Sequence, residues 1–131
     1  MTISLERLAA RHGIRPGRPQ RVGEAAARLQ TSARMLRYAE HLGLVDPPRD
    51  PSGYRAYGER DLLAAALAAE LQARHGVTPA ALAFGLRALA DPEVAGELRQ
   101  LARLGRRAPA GRAGALQFEA DKARRLLRLA S

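Results

Sequence analysis

The stretch Thr31–Tyr57, TSARMLRYAEHLGLVDPPRDPSGYRAY, constrains the chain most, because it demands a short helix with two chemically opposite faces and then an abrupt turn. Ser32 can cap the helix with its hydroxyl oxygen on a free backbone N–H. Met35, Ala39 and Leu42 follow at i, i+4 and i+7, with Leu36 widening the arc, so this side is expected to pack inward. Arg34, Arg37, Tyr38 and His41 recur at helical spacing on the other side and gather two guanidinium groups, a phenol and an imidazole into one strip. That strip has the width a DNA major groove admits.

Gly43 can end this helix, and Leu44-Val45 leads into Pro47-Pro48-Arg49-Asp50-Pro51-Ser52-Gly53, a dense cluster of turn formers. Tyr54-Arg55-Ala56-Tyr57 then alternates as a short strand. Two short strands around a Pro/Gly turn, directly after a groove-sized helix, read as the wing of a winged helix-turn-helix. Val22, Ala26 and Leu29 supply the first helix of that unit, and Gln30-Thr31 its turn.

Over roughly residues 21–90 the chain resembles the MerR family of bacterial transcription regulators. The residues that carry the likeness are Val22-Gly23-Glu24-Ala25-Ala26, Leu36-Arg37-Tyr38-Ala39-Glu40, Leu42-Gly43-Leu44, Pro48-Arg49, Gly53-Tyr54-Arg55-Ala56-Tyr57 and Asp61-Leu62, in that order and spacing. The family often has Gly in the turn where this chain has Gln30, an aromatic where it has Ala39, and Thr where it has Met35. The resemblance implies a mostly α protein: a winged helix-turn-helix DNA-binding domain with a small β-hairpin wing, then a dimerisation helix and a short C-terminal helix. It also implies DNA contacts from Ser32, Arg34, Arg37, Tyr38 and His41 on the helix, and from Arg49, Tyr54, Arg55 and Tyr57 on the wing. One of Tyr54 and Tyr57 is expected to pack against the helices instead, because alternate strand residues face opposite ways. Tyr57 is expected to be half structural.

Composition excludes several other functions. The 131 residues contain no cysteine, which removes disulfides, thiolate metal sites and thiol redox sensing together. His12, His41 and His75 lie far apart with no carboxylate motif beside them, and neither a Gly-rich phosphate loop nor a metal-ligand pair occurs, so no catalytic residue, metal or cofactor is expected. The opening MTISLERLAARHG is charged too early for a signal peptide, and the longest apolar run, Leu62–Ala69, is too short to span a bilayer. A cytoplasmic, nucleoid-associated protein without membrane contact is therefore expected.

The net charge of +9 is concentrated at the two ends: residues 1–60 hold 11 Arg against 6 acids, residues 61–98 hold 2 against 5, and residues 99–131 hold 9 cations against 2 acids. Of the 22 cations only Lys122 is a lysine, so phosphate contacts would come from planar guanidinium forks.

Outside the winged unit the chain divides into an N-terminal extension with a basic linker (residues 1–20) and a C-terminal part (residues 91–131). Residues 3–12 form a short helical candidate with Ile3, Leu5, Leu8 and Ala9 apolar, expected to dock or fray. The linker Ile14-Arg15-Pro16-Gly17-Arg18-Pro19-Gln20-Arg21 contains a Gly-Arg-Pro core similar to part of the AT-hook. It could place Arg15 and Arg18 in an A·T-rich minor groove, although it lacks the Arg before Gly of that motif. Gly58-Glu59-Arg60-Asp61 opens a helix whose buried face is expected at Leu63, Leu67 and Leu71, closed by His75-Gly76. Thr78-Pro79 starts another, burying Leu82, Leu86 and Leu89, and Asp91-Pro92 a third. Val94, Leu98, Leu101 and Leu104 give that third helix a heptad-like seam in the place of the family's dimerisation helix. After the Gly105–Gly114 break, Leu116, Ala120, Ala123, Leu127 and Ala130 resume helical spacing, and this last helix is expected to fold back over the dimer seam through Leu116 and Leu127.

The function implied by the resemblance is sequence-specific transcriptional regulation by a homodimer on double-stranded DNA, at an inverted-repeat promoter site. About 40 C-terminal residues leave no room for a large effector pocket, so no small-molecule effector is evident. Two other readings stay open: an architectural or excisionase-like DNA-binding protein, and a protein adaptor whose acidic middle docks RNA polymerase or a sigma factor.

Overall fold

The computed structural model describes residues 2–105, which fold into α1 (Leu5–His12), α2 (Val22–Arg28), α3 (Ala33–His41), α4 (Glu59–His75), α5 (Pro79–Ala90) and α6 (Pro92–Gly105). The chain divides into two compact units between Gly85 and Leu86, inside α5. None of the described helices is long and apolar enough to cross a membrane.

Side-chain caps set the helix starts, at Ser32, Thr78 and Asp91 as the sequence marks them and at Ser4 and Asp61 besides. Ser4 Oγ accepts from the Arg7 N–H, Ser32 Oγ from the Met35 N–H, and Thr78 Oγ1 from the Ala81 N–H. The Asp61 carboxylate accepts from the Gly58 N–H, and that of Asp91 from the Glu93 N–H. Each satisfies a backbone donor that the first helical turn leaves without a partner.

The stops share one geometry. α1, α2 and α3 each end in a Schellman pair, in which the residue after a left-handed position donates back to the preceding turn: Ile14 to Ala9 O, Thr31 to Ala26 O and Leu44 to Ala39 O, at 2.8–2.9 Å. The left-handed residues are Gly13 (φ 64°), Gln30 (φ 57°) and Gly43 (φ 80°), and Gly76 (φ 64°) ends α4 in the same region of backbone space. Gln30 is thus the one non-glycine among the described residues that holds a positive φ, at the turn where the sequence resemblance favours glycine.

The first unit closes around Leu8 and Ile14 from the N-terminal extension, Ala25 and Ala26 of α2, Leu36 of α3, Val45 and Tyr57 from the wing segment, and Leu62 and Ala66 of α4. The extension is therefore docked: Leu8 is 2% exposed, and Arg11 of α1 pairs with Glu70 of α4 at 3.0 Å. A smaller cluster of Leu44, Ala68 and Ala83 seats the start of α5 against α4.

Several expected buried faces shift. On α4 the deepest residues are Leu62, Ala66 and Ala68, with Leu63, Leu67 and Leu71 only half-buried. The alanine positions let neighbouring backbones approach more closely than a leucine row would, so the core sits one residue round the helix from the leucine stripe. On α5, Ala83 is buried and Leu82 half-buried, while Leu86 and Leu89 are exposed. They belong to the part of α5 that lies beyond the first unit.

The β-hairpin expected for the wing is not formed by strands. Among the described residues there are only two isolated antiparallel bridges, Arg49 with Arg55 and Gln20 with Tyr57. Prolines at 47, 48 and 51 remove the N–H groups a ladder would need, so Pro48 O accepts from the Ala56 N–H but Pro48 returns nothing. The C-terminal helix proposed around Leu116 and Leu127 lies outside the described residues.

Candidate nucleic-acid interface

The strip on α3 is presented as its spacing predicts. Leu36 turns into the core at 2% exposure, and Arg34, Arg37, Tyr38 and His41 all lie on the exposed side. Ser32 is spent on capping: its oxygen holds the Met35 N–H at 3.1 Å, so it fixes where the helix begins. Met35, expected to pack inward, is 45% exposed. Leu36 occupies the inward direction, leaving Met35 and Tyr38 beside an apolar hollow of about 110 Å³ shared with Ala39 and with Ala65 and Ala69 of α4.

The wing tip is a compact loop built on Asp50. Its carboxylate accepts from the N–H groups of Ser52 (2.9 Å) and Tyr54 (3.0 Å), and its carbonyl from Gly53, whose φ of 87° suits the turn. The Arg49 guanidinium donates to Gly53 O at 3.2 Å and stays exposed. Tyr54 is 55% exposed, with the Arg21 guanidinium 4.1 Å above its ring, and Arg21 also reaches Asp50 at 3.8 Å. Cation–π stacking with an ion pair on one side holds the wing tip against the start of α2.

Two wing residues expected at the interface face inward. The Arg55 Nε donates to a Glu40 carboxylate oxygen, and both side chains are only about a quarter exposed, so Arg55 ties the wing to α3. Tyr57 is fully buried. Burial first, and then the neighbouring Glu40 carboxylate, push its phenol pKa upward, and its hydroxyl has no hydrogen-bond partner among the described residues. Alternation along a strand told which side Tyr57 takes only relative to Arg55. The burial of Ala25, Ala26 and Leu36 around it makes that side the core.

Sequence reasoning missed Arg21 and Glu40. Both act through partners remote in sequence, Tyr54 with Asp50 and Arg55, and no local pattern signals such pairs. Arg15 and Arg18 are exposed in the loop between α1 and α2. On α6, Val94 and Leu98 are half-buried, whereas Leu101 and Leu104 are 65% and 82% exposed. Leu116 and Leu127 lie outside the described residues.

The surface that results combines a polar, arginine-bearing helix face of groove width with a pinned loop that carries a further exposed guanidinium. Residues 21–57, from the start of α2 through the wing, match the model of the MerR family regulatory proteins. Among solved structures, the chain resembles the crystal structure of HiNmlR, a MerR family regulator lacking the sensor domain, bound to promoter DNA. That likeness has a TM-score of 0.52 at 19% identity and covers 85% of this chain and 83% of the other, which makes it a likeness of fold. No curated protein matches the chain by sequence.

Proposed function

We propose that this chain, whose residues 21–57 are those of a MerR family regulatory protein, is a DNA-binding transcription regulator. The observation that carries the reading is the α3 strip: Arg34, Arg37, Tyr38 and His41 all exposed on one face, with Leu36 anchoring the opposite side. A helix of this width enters the major groove, where Arg34 and Arg37 can donate to base edges or phosphates and Tyr38 can contact the backbone. Arg49 and the Arg21–Tyr54 stack present the wing to the flanking phosphates. Arg55 and Tyr57 hold that wing in place from behind.

The chain acts as a homodimer on an inverted repeat, each protomer filling one major groove, with the apolar seam Val94, Leu98, Leu101 and Leu104 of α6 as the pairing surface. Exposed leucines at this spacing support the pairing, because so apolar a helix face gains by leaving water. The winged unit of residues 21–90 reads the DNA and residues 91–131 join the protomers. The solved HiNmlR complex, bound to promoter DNA, supports a promoter site for a chain of this fold.

The test is selection of genomic fragments by the full chain at physiological salt, repeated with Arg34→Ala plus Arg37→Ala. An enriched inverted repeat within promoters, lost in the double variant, is the expected result. If a dimer engages roughly 6–10 phosphates, affinity falls by about 10³–10⁵ between 50 and 200 mM salt. Broad recovery without a repeated motif would favour an architectural role instead. Intact function of the double variant would favour an adaptor.

A further inference from the structure

The loop between α1 and α2 does not have the form of a free arm. At one end the Arg28 guanidinium donates to Gly13 O at 2.6 Å and to His12 O at 3.5 Å. At the other, Gln20 exchanges two backbone hydrogen bonds with Tyr57, at 2.8 and 2.7 Å, and its side-chain oxygen accepts from Arg28 Nε at 3.2 Å. One arginine of α2 thus holds both ends, and Pro16 and Pro19 restrict the backbone between them. Under the loop lies a polar cavity of about 150 Å³, lined by Arg15, Arg18 and Arg28 together with Gln20, Tyr57 and Glu59. Three arginines and one glutamate thus line it. Arg28 is occupied by its carbonyl partners, whereas Arg15 and Arg18 are exposed and make no hydrogen bond or ion pair among the described residues.

We propose that this loop is a phosphate-binding site in which Arg15 and Arg18 take one backbone phosphate of DNA, beside the wing. The proposal rests on the DNA-binding reading above and revises what the Gly-Arg-Pro sequence alone implies. Insertion into a minor groove needs an arm free to extend, and this segment is fastened at both ends. Two unpaired guanidinium groups on a loop whose backbone is held at both ends suit an oxyanion, since less backbone freedom remains to be lost on binding. The placement beside DNA follows from continuity with the wing: Gln20 pairs with Tyr57, and the next residue, Arg21, stacks on Tyr54. Contacts to phosphate position the protein and carry no sequence information.

The experiment compares the full chain with Arg15→Ala plus Arg18→Ala, measuring affinity for a selected DNA fragment across a salt series. The expected result is a salt slope shallower by about 0.9 for each protomer bound, with unchanged base preference. Arg15→Lys plus Arg18→Lys should restore the slope, because a point charge also releases counterions. Wild-type binding with a steep slope, identical in the alanine variant, overturns the proposal and leaves the DNA reading standing. A wild type that binds no DNA removes that reading and this one with it. Sodium pyrophosphate supplies the second arm. If it protects the wild type and not the alanine variant from thermal unfolding while the DNA slope does not change, the site serves a free phosphate or polyphosphate anion and the DNA placement is overturned.

Discussion

Replacing Gln30 with glycine should make the protein more stable. Gln30 occupies the left-handed position of the α2 stop at φ 57°, the place that glycine fills in α1 and α3. A side chain with a Cβ in that region costs about 1–2 kcal/mol, from the approach of Cβ to the following carbonyl. Glycine removes this cost but gains freedom in the unfolded chain, which returns about 0.4–1 kcal/mol. Gln30 is exposed and makes no side-chain hydrogen bond among the described residues, so little packing is lost. The net expectation for Gln30→Gly is a gain of about 0.5–1 kcal/mol, or roughly 2–4 °C in Tm for a domain of this size. Urea titration followed by far-UV circular dichroism reads it as a higher midpoint at unchanged slope. Two controls bracket the reasoning. Gln30→Ala keeps the Cβ and should stay within about 0.5 kcal/mol of wild type, whereas Gly43→Ala imposes the same strain on α3 and, after the same unfolded-chain offset, should cost about 0.5–1 kcal/mol. If Gly43→Ala shows that cost while Gln30→Gly brings no gain, the strain assigned to Gln30 is refuted.

Three other perturbations test the interface and its supports. Tyr57→Phe removes a buried hydroxyl without a partner and should stabilise the fold by about 1 kcal/mol while leaving DNA affinity unchanged; a marked loss of affinity would return Tyr57 to the interface. The same variant tests the raised phenol pKa. Below the ordinary value of 10.0 both states keep the proton, and above it the unfolded chain releases its proton first, so wild-type stability should decline through the folded pKa. Tyr57→Phe should lack that part of the decline in denaturation midpoints measured from pH 8 to 11. Glu40→Ala leaves Arg55 without its partner and should cost about 1 kcal/mol, since the pair is partly screened by water, and hydrogen exchange should speed up across residues 49–56. Unchanged exchange would show that the pair does not hold the wing. Leu101→Glu with Leu104→Glu should yield a monomer by light scattering, and a persisting dimer would place the pairing surface elsewhere.

Local chemistry made much of this protein legible in the sequence. Ser32 and Thr78 begin helices, Gly43 and Gly76 end them, and the 3.6-residue period separates Leu36 from Arg34, Arg37, Tyr38 and His41, because each of these depends on neighbours within one or two turns of chain. The resemblance over residues 21–57 rests on the same short-range order. Tertiary structure decided what depends on remote partners. It chose Leu62 and Ala66 over the leucine stripe of α4 as the deepest contacts, turned Tyr57 into the core and Arg55 onto Glu40, set Arg21 over Tyr54, and fastened the Arg15–Arg18 loop through Arg28. Periodicity assigns a residue to a face, but whether that face meets solvent, another helix or an opposite charge depends on which distant segments the folded chain brings against it. Arg34 and Arg55 show the difference: they are the same residue type in neighbouring elements, and only the carboxylate of Glu40, fifteen residues back along the chain, separates a free cation from a structural one.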